Sequence, residues 1–210
     1  MNKVKPLYRG YSHQAMFFVS IGACAMLLAK ATSSIQIVSI LIYSFGLLSM
    51  FGVSALYHRI HWEPKPRALM NKFDHSAIYV MIAGSCTPIC LLVLGDDSGF
   101  KLLTTIWVIA LIGVGQSVFF PNLPKYIRSL IYMIPGYMVL PYVSELVPKL
   151  GATNITLLFV GGVFYTIGAI AYGTRWPVLK PLRYGYHEVF HLFVCFGAIA
   201  HFVLIYSLIG

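Results

Sequence analysis

HEVFHLFVCFGAIAHFVLIYSLIG, running from His187 to Gly210, joins two patterns that make opposite demands on solvent. Its first five residues, His187-Glu188-Val189-Phe190-His191, form a His-Glu-x-x-His pentad. On a helix, positions i and i+4 lie on one face about 6 Å apart along the axis, so two imidazoles there can grip one metal ion. In soluble zinc hydrolases the intervening Glu is the general base. Beyond Glu188, however, the stretch has no Asp, Glu, Lys or Arg and is long enough to cross a bilayer. An ionisable cluster at membrane depth is costly and marks a candidate functional site.

The rest of the chain has the same character. It is 59% hydrophobic and 10% charged, far more apolar than a soluble domain of 210 residues requires. The apolar runs predict seven transmembrane helices in an all-α bundle forming one domain over residues 1–210: 14–30, 35–57, 76–94, 102–120, 127–146, 155–173 and 187–209. Lipid offers no partner to backbone polar groups, so the spans must be helical. Pro135 and Pro141 should kink the fifth. With the N-terminus inside, cytoplasmic segments hold 12 Lys and Arg and the opposite side holds Lys30, Lys101 and Lys149. That bias predicts a cytoplasmic N-terminus and an external C-terminus. The net charge of +9 is thus a topology signal with a secondary attraction to anionic lipid, and it implies no nucleic acid. The basic start, apolar run and Ala29-Lys30-Ala31 imitate a secretory signal, but a lysine inside the triplet argues against cleavage. Cys24, Cys86, Cys90 and Cys195 all lie in spans and read as packing residues, with no disulfide framework. The longest connections are expected at His58–His75 and Thr174–Tyr186.

This topology brings the end of the second helix and the starts of the third and seventh to the cytoplasmic rim. Those ends carry Ser54 and His58, then Asp74 and His75, then His187, Glu188 and His191. Three imidazoles, His58, His187 and His191, with a carboxylate or water make a four-coordinate set suited to zinc. Ser54 lies one turn deeper than His58 on the same face. Taken singly, each has a plainer reading. His61 and His75 read as interfacial side chains, Asp74 as a helix N-cap and Glu188 as a first-turn carboxylate favoured by the helix dipole. His13 and His201 read as hydrogen-bonded structural histidines.

Four stretches carry a resemblance. They are Arg9-Gly10-x-x-His13, Ser54-Ala55-Leu56-Tyr57-His58, Phe73-Asp74-His75 with Thr87-Pro88, and Gly185-Tyr186 followed by the pentad. In that order and spacing the chain resembles the hemolysin III branch of the progestin and adipoQ receptor (PAQR) family, within a seven-helix superfamily that includes alkaline ceramidases. The resemblance implies zinc held by His58, His187 and His191, with Asp74 holding or deprotonating the water on the metal and Ser54 supporting it. It also implies a multi-pass protein of the bacterial inner (plasma) membrane. The long N-terminal extension of the receptor members is missing, which argues against hormone signalling.

The leading functional expectation is a zinc-dependent hydrolase of a lipid amide or ester, with membrane lipid as substrate or ligand entering sideways between helices. Two alternatives stand beside it: a non-enzymatic, membrane-perturbing or pore-forming cytolysin, and a lipid-state sensor with structural zinc. A soluble-style metalloprotease, the fourth reading, would need Glu188 directed at the metal and a peptide cleft.

Overall fold

In the computed structural model, residues 6–209 are described, and among them the regular structure is helical, with no strand beyond one isolated Lys180–Tyr184 bridge. The helices are α1 (Tyr11–Lys30), α2 (Ser34–Arg59), α3 (Pro64–Pro88), α4 (Asp96–Phe119), α5 (Lys125–Tyr137), α6 (Val143–Thr174) and α7 (Tyr186–Ser207). Among the described residues six stretches are long and apolar enough to cross a membrane. The fifth of these, Lys125–Thr174, takes in both of the expected fifth and sixth spans.

Local sequence explains the boundaries. Between α1 and α2, Ser33 Oγ accepts from Gln36 N while Gln36 Oε1 accepts from Ser33 N, a reciprocal cap that starts α2 at once. α3 begins twelve residues before the expected Ser76, so most of the expected His58–His75 connection is helix. Pro64 fits the first helical position, and Arg67, Ala68, Leu69, Met70 and Lys72 then propagate the helix without an apolar run of membrane-crossing length. Pro88 lacks an N–H and crowds the preceding turn, and the chain runs on as a π-helical turn over Ile89–Leu94. Pro135 falls near the end of α5, which gives way to a 3-10 turn at Leu140–Tyr142. Gly151, at φ 72°, breaks α6 internally.

α2 and α3 approach at backbone distance. A Cβ on Gly46 would stand 2.9 Å from the Val80 carbonyl oxygen, and one on Gly84 would stand 3.1 Å from that of Ile42. Small residues at such crossings let helices pack in lipid, where no hydrophobic force drives association. This fixes the middle of α2 against the last third of α3. α1 packs on both α2 and α7, and α7 lies along α6. The four cysteines are free thiols inside the helices.

Candidate metal centre

Three imidazoles meet at one end of the bundle. His58 closes α2, while His187 and His191 occupy the first two turns of α7. Their donor nitrogens lie within 4.8 Å of one another, and all three residues are buried. Tetrahedral zinc with bonds of about 2.0–2.1 Å would hold its ligands about 3.3 Å apart, so modest side-chain rotation closes the set. His191 Nδ1 is buried with no hydrogen-bond partner, which suits a nitrogen meant for a cation. Among the described residues no other group of three histidines, cysteines or carboxylates converges in this way. The residues present fit zinc.

Asp74 Oδ2 stands 3.7 Å from His58 Nε2. Its carboxyl also has Ser54 beside it. Asp74 lies three turns inside α3 and is buried, so it is no N-cap. Ser54 Oγ is 2.9 Å from His13 Nδ1, and the His13 ring stacks on His191 at 3.8 Å between centroids. His13 therefore braces a member of the cluster, a contact that its sequence position concealed. His201 behaves as a structural histidine: its Nε2 lies 3.1 Å from the Leu158 carbonyl, in space left by Gly161.

The readings of His75 and Arg128 change here. His75, expected at the interface, is buried and accepts a hydrogen bond from Arg128 Nη1 at 3.0 Å. Arg128 itself is buried on α5, with Nη2 donating to the Pro121 carbonyl at 2.5 Å. Treated as a topology marker in the sequence, it is a cation packed against the site. Its position inside an apolar span was the available signal. Glu188 turns away from the imidazoles: Oε1 pairs with Arg9 and Oε2 accepts from Gly185 N at 2.7 Å. The pentad thus lacks the general base of a soluble metalloprotease. His61 is exposed, as expected.

The cluster forms one end of a cavity of about 240 Å³. Asp74, His75, His187 and His191 line that end, while Met81, Ile89, Leu158 and Val194 line the apolar remainder. Towards the lipid-facing side, the walls are Tyr137 and Leu140 after the Pro135 bend and Phe159 and Val163 on α6, all exposed.

The profile of a family described as haemolysin-III related matches residues 1–202. The chain is 33% identical over 194 residues to a hemolysin-3 homolog of Bacillus subtilis (strain 168), covering 91% of this chain and 88% of that protein. It is 33% identical over 202 residues to hemolysin-3 of Bacillus cereus, covering 94% and 89%. Against the monocyte to macrophage differentiation factor of Homo sapiens it is 24% identical over 202 residues, covering 94% and 81%.

Proposed function

From the premise that this chain belongs to the haemolysin-III related family and is an integral membrane protein, we propose a zinc-dependent hydrolase of lipid amides or esters. Its site would lie at the cytoplasmic rim of one seven-span bundle in the bacterial inner membrane. The observation that carries the reading is the buried His58, His187 and His191 cluster, with Asp74 3.7 Å from His58, at one end of an apolar cavity.

Support for seven spans comes from Lys125 Nζ donating to Tyr186 Oη at 2.6 Å, which joins the starts of α5 and α7. On this reading the chain crosses and returns between them. Residues 125–150 and 152–174, either side of Gly151, serve as the two crossings at 1.5 Å per residue. Arg9, Arg59, Lys125 and Arg183 gather at the cluster's end, which favours that end as cytoplasmic.

His58, His187 and His191 would hold the metal. Bound there, zinc would lower the pKa of water to about 7 and would polarise a carbonyl. Asp74 orients the attacking water and accepts its proton at Oδ2, with Ser54 fixing the carboxylate and His13 fixing Ser54. Arg128 holds a positive charge against His75, which lines the same end of the cavity. The apolar cavity excludes bulk water and receives acyl chain, admitted between α5 and α6.

A second reading has one observation in its favour. Asp74 is close enough to His58 to serve as a fourth ligand, which would close the coordination shell and make the zinc structural. Asp74→Asn separates the two. The hydrolase reading expects full zinc, an unchanged melting temperature and a loss of at least about 100-fold in turnover on short-chain ceramide-like amides or esters. A lower melting temperature with no wild-type turnover on either substrate would establish the sensor reading instead.

A further inference from the structure

We propose that residues 6–10 form a strap across the rim of the metal centre, in which Arg9 is a positioning residue that sets His58 against His187 and His191. This rests on the metal reading above. The strap is tied at both ends. Leu7 N donates to the Leu182 carbonyl at 3.0 Å and Tyr8 N to that of Arg183 at 3.3 Å, joining it to the connection that leads into α7. Arg9 then pairs with Glu188, whose side chain is 2% exposed against 18% for Arg9. The same carboxylate holds Gly185 N, so one residue fastens the strap and starts the helix that carries both histidines.

At its other end the strap lies on α2. Gly10 adopts φ +86°, and a Cβ there would stand 2.6 Å from His58 Cβ. Only glycine meets both conditions, since the left-handed conformation and the close approach each exclude a side chain. Arg59 adds a lateral tie, stacking 3.6 Å over Tyr11 and donating to Gln14 Oε1 at 3.0 Å. The arginine on Glu188 and the glycine on His58 are adjacent residues, so the strap links α7 to α2 through two consecutive positions. Groups outside the coordination shell that orient ligands are worth about 10–100-fold in metal affinity.

The test compares wild type with Arg9→Ala, Glu188→Gln and Gly10→Ala, using cobalt(II) as the probe because its visible bands report coordination geometry. Glu188→Gln keeps an acceptor for Gly185 N while removing the ionic attraction. Arg9→Ala should weaken cobalt binding by about 10-fold or more and alter its bands. Arg9→Lys should recover part of both, and the Arg9→Ala, Glu188→Gln pair should cost no more than the worse single change. A second readout needs no metal. Spin labels at His61→Cys and Lys180→Cys, with Cys86→Ala, should move apart or broaden in distance when Arg9 becomes Ala. Arg9→Ala with wild-type cobalt affinity, bands and label distance would overturn the strap. Wild-type protein that is helical but takes up no cobalt would defeat the metal reading instead. The label distance alone then decides the strap, an unchanged value rejecting it.

Discussion

The two sides of the cavity are built in opposite ways. On the α2–α3 side the helices touch through Gly46 and Gly84 at backbone distance, and α1 braces the result through His13 on Ser54 and on His191. On the α5–α6 side the helices are interrupted, at Pro135, at the 3-10 turn and at Gly151, and exposed aromatic and aliphatic side chains face the gap. One side has little freedom to move without breaking close contacts. The other can flex at its breaks. A protein that holds an ion with one face and admits a long apolar molecule through the other would need this division.

Removing the proposed ligands attacks the braced side most directly. The His187→Ala, His191→Ala variant should lose stoichiometric zinc, since His58 alone cannot retain it. The measurement is metal per protein after purification in trace zinc. Full occupancy in the double variant would show that the metal, if bound, sits elsewhere.

Adding bulk should have opposite signs on the two sides. Gly84→Ile forces atoms into the Ile42 backbone and should cost about 1–3 kcal/mol, with weaker zinc retention as His58 shifts against Asp74. Gly136→Ala, in α5, meets nothing within 4 Å and should be neutral or stabilising by about 0.5–1 kcal/mol. Thermal melts in one detergent compare the two. Equal losses would mean that both sides are packed alike and that the proposed division is mistaken.

Legibility in the sequence did not follow this division. Hydropathy located α1, α2 and α7 to within a few residues, because each is apolar nearly to its ends. It missed the first twelve residues of α3, where charged residues propagate a helix as well as apolar ones do. It separated the fifth and sixth spans, and the break at Gly151 falls between them, but it could not show the 3-10 turn that interrupts the fifth. The pentad and Ser54-x-x-x-His58 were readable because helical spacing is local. The Arg9–Glu188 pair joins residues 179 positions apart, and no periodicity encodes such a contact. His13, His75 and Arg128 escaped for the same reason. Each looked like a lone polar residue until neighbouring helices supplied its partner.

The smallest expected effect tests the flexible side. Thr166 Oγ1 donates to the Gly162 carbonyl at 2.8 Å, which leaves it as acceptor for the Tyr137 hydroxyl 2.9 Å away. That hydrogen bond spans α5 and α6 beside the opening. Tyr137→Phe removes it without changing ring volume. Interhelical hydrogen bonds in membranes average about 0.6 kcal/mol, so the melting temperature should barely move. If the opening admits lipid, the variant should change KM for a long-chain substrate by about two- to three-fold, the factor that 0.6 kcal/mol represents. Its kcat should stay constant, because Tyr137 lies away from the imidazole cluster. A short-chain substrate, which needs less of the gap, should show a smaller change. Equal shifts for both chain lengths would place the hydroxyl's influence in the site itself. The α5–α6 side would then be part of the reacting end rather than the way in.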